Sequence, residues 1–309
     1  MPTVSNYPNG FPNGVNIQGL PVLNTYSGSV FWVDSATGGN GNPGTHRRPF
    51  ATLDYAIGKC TANNGDIIMI KPNHSETITG VGGITFDVAG ITVIGLGNYN
   101  QRPSFLMDGA TTVTAAVTGA DTTIRNLVFS GGHNGIATCF DVDAVGFTAI
   151  DIEFEDNATN EHFLIAYTVG SATDNTCDGL TIINNKWYTL DAGPTSFISL
   201  TGDTDRPTIS GNVVIADAAS IQFLVQAAGD DIQGLVFTYN TLITALSSSD
   251  ILIDNNQADN TGYAAYNLAG HHDTGAPVTI DCDGIRQFEN YSGAADTSSG
   301  RLWPAVEST

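Results

Sequence analysis

Thr123-Ile-Arg-Asn-Leu-Val-Phe129, Thr148-Ala-Ile-Asp-Ile-Glu-Phe154, Thr181-Ile-Ile-Asn-Asn-Lys-Trp187 and Thr208-Ile-Ser-Gly-Asn-Val-Val214 lie under one another as four copies of one pattern. Their last residues, Phe129, Phe154, Trp187 and Val214, fall 25, 33 and 27 residues apart. A looser copy without the Thr places Leu242 another 28 on, and Ile91-Thr-Val-Ile-Gly-Leu96 is a weaker early one. Each unit also carries a second short strand: Phe86-Asp-Val88, Ala115-Ala-Val117, Phe140-Asp-Val142, Phe197-Ile-Ser-Leu200 and Phe223-Leu-Val225. Turn residues separate the two strands in most units (Ala89-Gly90, Gly119-Ala-Asp121, Ala144-Val-Gly146, Gly229-Asp-Asp231).

A unit of this length with period-2 strands and no helix cannot bury its own inward side chains. Stacked unit on unit, each strand bonds to its counterpart one repeat later and a continuous interior closes. The sheets are then parallel and the repeat is one winding of a coil. Asn185, Asn212 and Asn240 align, which predicts a ladder of side-chain amides at one corner, since Asn both donates and accepts. An antiparallel sandwich with strands every 8–12 residues leaves the alignment unexplained. Residues 66–290 predict a solenoid of about eight coils, a rod on the order of 40 Å at ~4.8 Å per coil. Residues 281–309 are read as leaving the repeat, with 291–309 a C-terminal cap or inter-subunit tail.

Composition agrees. Ten Lys+Arg against 31 Asp+Glu give 10 − 31 = −21, charged residues are 13% and Gly numbers 35 among 309 residues. Few cations and many turn residues suit β-structure better than a helical bundle. The charge argues against nucleic acid and anionic membrane as partners. No apolar run is long enough to span a bilayer, and no signal peptide is read at the N-terminus. Cys60, Cys139, Cys177 and Cys282 have no metal-type spacing and are expected as free thiols. His133, His162, His271 and His272 likewise show no zinc spacing, and no cofactor is expected.

Residues 1–28 show no helical or strand period and hold a tandem pair of turns, Tyr7-Pro8-Asn9-Gly10 and Phe11-Pro12-Asn13-Gly14. They are expected to form an extended anchoring arm presenting Tyr7 and Phe11 to a partner. Trp303, in the apolar patch Leu302-Trp303-Pro304-Ala305-Val306, is the third expected partner-binding residue. Residues 29–65 read as a strand at Ser29–Asp34, a Gly-rich loop and a helix with Pro49 first, carrying Phe50, Leu53 and Ile57 on one face. The Gly39-Asn40-Gly41-Asn42-Pro43-Gly44 loop matches a dinucleotide spacing, but the helix begins too late to meet a pyrophosphate.

The run Val33-Asp34…Gly41-Asn42…Gly44-Thr45…Pro49-Phe50-Ala51-Thr52-Leu53…Gly65-Asp66-Ile67-Ile68-Met69-Ile70…Pro72 resembles the opening of right-handed parallel β-helix proteins, the pectin-lyase-like group. The resemblance implies an all-β, right-handed parallel β-helix with a short capping helix. Within that group the chain is most similar to bacteriophage virion surface proteins. This implies a capsid decoration or short head spike on the particle surface, trimeric, docked to the major capsid or another virion protein through its arm. Gly229-Asp230-Asp231 also resembles the aspartate pair of β-helical glycoside hydrolases, and with Asp205 and the neighbouring Asp203 marks a possible catalytic or Ca²⁺-holding ridge. The companion histidine and basic motifs of those enzymes are missing from the next coil. The expectation is therefore a non-enzymatic structural protein. The alternative is a tailspike-type depolymerase or a receptor-recognition protein binding a host glycan, with Asp205, Asp230 and Asp231 in its groove.

Overall fold

A computed structural model describes residues 15–17, 20–22, 28–171, 176–216, 221–227, 229–244, 251–255, 259–271, 279–282, 284–294, 303–304 and 306–307. The chain winds into a parallel β-solenoid whose walls are three sheets of ten, ten and nine strands. Each winding contributes one strand to each sheet. The coil through residue 123, for example, lays Thr123–Arg125 in the first sheet, Val128–Gly131 in the second and Phe140–Val142 in the third.

The aligned copies are hydrogen-bonded neighbours. Thr123 pairs with Thr148, Thr148 with Thr181 and Thr181 with Thr208 in the first sheet. In the second, Phe129, Phe154, Trp187, Val214 and Leu242 stand in one row. That row points inward. Phe129 lies 6.4 Å from Phe154 and Phe154 lies 6.3 Å from Trp187, ring centre to ring centre. Phe140, Tyr167 and Phe197 close on Phe154 from the third sheet. The interior is thus a continuous aromatic column in which each winding covers the next.

The first and second sheets meet at a two-residue corner. One residue takes a left-handed backbone (φ 60° at Asn126, 56° at Asp151, 57° at Asn184), and the next turns inward. From the fifth winding on, that inward residue is Asn. Asn185, Asn212, Asn240, Asn267 and Asn290 are buried, and the backbone N–H of each of the first four donates to the next amide oxygen at 2.8–3.1 Å. The amide nitrogens donate to carbonyls such as Ile182 O and Ile209 O. The predicted ladder is present and runs two rungs further than its sequence signal.

Four sequence readings are corrected. The helix spans Leu53–Ile57, not from Pro49. Phe50 is bound into the wall: its N–H donates to Trp32 O and its carbonyl accepts from Asp34 N, so its backbone is unavailable to a helix. The early third-sheet strand is Ile84–Phe86, with Phe86 opposite Val117, two residues from the expected alignment. A slip of two keeps the same face inward, so the apolar pattern could not reveal it. The repeat also does not stop at 281: Arg286–Phe288 and Tyr291–Ala294 continue the parallel sheets. Trp303–Pro304 then pairs antiparallel with Tyr291 and Ser292. In the N-terminal segment Val15–Ile17 pairs antiparallel with Leu20–Val22, where no strand period is read. Tyr7 and Phe11 lie outside the described residues.

Candidate functional site

A groove opens on the corner between the first two sheets where one winding carries an eight-residue insertion. Between Thr92–Gly95 and Ser104–Met107 the chain inserts Leu96–Pro103, with a short 3-10 turn at Tyr99–Gln101. Asn126, the corner residue of the next winding, ties the insertion down by donating its amide to Gly95 O (2.8 Å) and Gly97 O (3.0 Å). Gly97 sits at φ 99°, a conformation glycine accepts readily. The result projects Tyr99 outward, 92% exposed.

Arg102, at the foot of the insertion, reaches across two windings. Its guanidinium donates to Leu127 O at 2.8 Å, to Asp151 O, and to Glu153 Oε2 at 2.5 Å. The cavity here is about 500 Å³ and is lined by Asn98, Tyr99, Arg102, Asn126, Asp151, Ile152, Glu153, Asn184 and Lys186. An adjoining hollow of about 530 Å³ shares Tyr99, Arg102, Glu153 and Lys186 and adds Ser104, Val128 and Glu155.

The strand Glu153–Asp156 alternates, so Phe154 points to the core while Glu153 and Glu155 point into the groove. Burial first, then the charge of Glu153 and a hydrogen bond with it, push the Glu155 carboxyl up, against the pull of Arg102. Glu155 therefore keeps its proton to higher pH than an ordinary glutamate. Lys186 lies opposite Glu153 in register, and Tyr188 opposite Glu155. Among the described residues Lys186 has no ion pair, while Arg125 is paired with Asp151 at 3.2 Å. In a chain of net charge −21 this groove holds two of the ten cations, Arg102 and Lys186.

The aspartates singled out in sequence lie elsewhere, on the turn between the third and first sheets. The fold brings Asp203 to Asp231: Asp203 Oδ1 accepts the Asp231 N–H at 2.6 Å. Asp205 is not opposite Asp231 but opposite Gln233, and its N–H donates to Asp178 Oδ1 at 2.9 Å. Asp230 donates its N–H to Ala227 O within the turn. Partial burial, then the charges of Asp203, Asp259 and Asp230, raise the Asp231 carboxyl. The carboxylates of Asp178 and Asp203 accept backbone N–H groups of the following winding, which is turn-building work. Among the described residues no group of three His, Cys, Asp or Glu side chains is arranged to hold a metal ion. Cys60, Cys139 and Cys177 are free thiols. Trp303 lies in a strand at the C-terminal end.

Sequence reasoning missed the groove. The available signal was Glu153 standing under Lys186 in the aligned copies, with Glu155 two residues on. Tyr99 and Arg102 had none, because the insertion occurs once.

No family model and no curated protein matches the chain. Among solved structures it is similar to a rhamnogalacturonan lyase (17% identity, 79% of this chain and 69% of that one, TM-score 0.46). It is also similar to the GH136 lacto-N-biosidase from Eubacterium ramulus (10% identity, 85% of this chain and 67% of that one, TM-score 0.37). The likeness is one of fold. It corrects one expectation all the same: chains wound this way include a lyase and a glycoside hydrolase, so the missing motifs do not make this chain a non-enzyme.

Proposed function

We propose that the chain engages an extended anionic polysaccharide in the groove beneath Tyr99. The observation that carries this reading is the groove's composition. It combines a fully presented aromatic ring, Lys186 with no ion pair among the described residues, and a rim of amides and carboxyls from Asn98, Asn126, Asn184, Asp151 and Glu153. Sugar rings offer flat C–H faces to aromatic side chains and hydroxyls to such a polar rim, and a uronate carboxylate suits Lys186. Its setting on a virion surface, as a trimer docked through residues 1–28, belongs to the same proposal and rests on the sequence resemblance.

A second reading is favoured by the raised Glu155 carboxyl: bound polymer is also cut. Burial and the neighbouring Glu153 raise the Glu155 carboxyl, which suits a proton donor to a leaving oxygen. Binding of polygalacturonate and hyaluronan, by calorimetry, tests the first reading. Tyr99→Ala and Lys186→Gln should each weaken it at least about tenfold, and unchanged affinity in both rejects the groove. Release of reducing ends from the polymer that binds tests the second. Glu155→Gln should abolish release and leave binding in place; release persisting at the wild-type rate assigns the cut elsewhere.

A further inference from the structure

The corner that forms the groove continues past it, and its outward residues change in kind. In the windings that line the groove the left-handed position holds Asn126, Asp151 and Asn184, and Gly211 follows. These are residue types that accept a positive φ. The next two windings put Tyr239 (φ 57°) and Tyr266 (φ 60°) at the same position. A bulky side chain there strains the backbone, and the strain is not repaid by burial: Tyr239 is 62% exposed and Tyr266 49%. The rings stack on each other at 5.2 Å with planes 12° apart, forming a flat two-ring platform along the long axis. Strain kept at an exposed aromatic pair marks a surface held for a ligand.

Resting on the groove reading, we infer that the Tyr239–Tyr266 platform is a second subsite for the same polysaccharide, which lies along the corner parallel to the solenoid axis. From Asn126 to Tyr266 is five windings, roughly 24 Å at ~4.8 Å each. Gly211, with no side chain, leaves the ridge bare between the groove and the platform. Beyond the platform, on the first sheet, a cavity of about 390 Å³ is lined by Thr261, Tyr263, Arg286 and Phe288, with Phe288 54% exposed. Arg286 has no ion pair among the described residues, as Lys186 has none. The path therefore has aromatic faces at Tyr99 and at Tyr239–Tyr266, with Lys186 between them and Arg286 at the far end, an extended arrangement that suits a polymer and not a single sugar.

The test uses polygalacturonate and hyaluronan, each as short oligomers and as long polymer, against the full chain and the double variant Tyr239→Asn/Tyr266→Asn. Asn is the residue the corner accepts, so the variant should melt no lower than the parent. The short oligomers should bind both proteins equally, and the polymer should bind the variant about tenfold more weakly. Equal polymer affinity, with Tyr99→Ala still weakening it, overturns the second subsite and leaves the groove standing. Oligomer binding indifferent to Tyr99→Ala, or no binding of either polymer, overturns the groove and this inference with it.

Discussion

One corner of the solenoid is built in two materials. In its first half the inward residue is apolar, Leu127 and then Ile152, and the outward residue is Asn or Asp. In its second half the inward residue is always Asn, and Tyr stands outside in two successive windings. The core beside it changes in step. The inward row of the second sheet runs Phe105, Phe129, Phe154, Trp187 and then shrinks to Val214, Leu242 and Ala269. In the second half, hydrogen bonds passed from amide to amide are added to a core whose aromatic contacts thin to Phe197–Phe223 and Phe223–Phe237. A buried amide with all its partners holds its backbone in one geometry. A corner so held can bear two strained tyrosines, which a corner held by packing alone is not asked to do.

If that division is right, the two halves should fail differently. Phe154→Ala should be the most damaging single change, because Phe154 touches rings from both neighbouring windings and the third sheet. A loss of about 3–5 kcal/mol in chemical denaturation is expected. Asn240→Ala should cost about 2–3 kcal/mol, since it strands the Asn212 N–H and leaves the Ile209 carbonyl without the Asn240 amide. Asn240→Asp should recover part of this, because one oxygen can still accept. Tyr239→Asn should act in the opposite direction and stabilise by about 1 kcal/mol, the order of the left-handed penalty; a destabilised variant would show that the ring is structural.

The smallest effect is a pH dependence within the first half. Glu155 and Asp156, in the first half, both have raised carboxyls, with burial the leading cause. The folded chain holds protons there that the unfolded chain releases, so their contribution to stability falls as pH rises from the ordinary values of 4.5 and 3.8 through the raised ones. Asp34 runs the other way. Burial alone would raise it, but the Thr37 hydroxyl, the Ala36 N–H and Lys71 together hold it below 3.8, so its contribution fades as pH falls through that region. Glu155→Gln should flatten the melting-temperature profile above pH 4.5 and leave the acid limb near Asp34 unchanged.

The winding was legible in sequence because a buried row repeats residue type: Phe129, Phe154 and Trp187 must each fill the same slot. The ladder was legible where neighbouring marks were strong, at Asn185, Asn212 and Asn240. It was lost at Asn267 and Asn290, where the Thr and the aromatic that anchor the alignment are gone. The strand Ile165–Val169 also went unread, since its apolar residues break strict alternation, with Ala166 and Tyr167 both buried. The aspartates drew attention because acidic pairs suggest chemistry, yet Asp203 is spent on the Asp231 N–H and Asp205 stands opposite Gln233. The groove stayed hidden because an inserted loop has no counterpart to align with, and because Glu153 and Glu155 look like any outward pair on a strand until Arg102 is folded over them.

The most direct measurement is a structure of the chain with a bound uronate oligosaccharide long enough to pass from Tyr99 to Tyr266. Sugar rings lying along the corner, one against Tyr99 with a carboxylate at Lys186 and others over the Tyr239–Tyr266 pair, are the predicted result. Rings seated instead on the Asp203–Asp231 turn or on the outer face of the third sheet would contradict it.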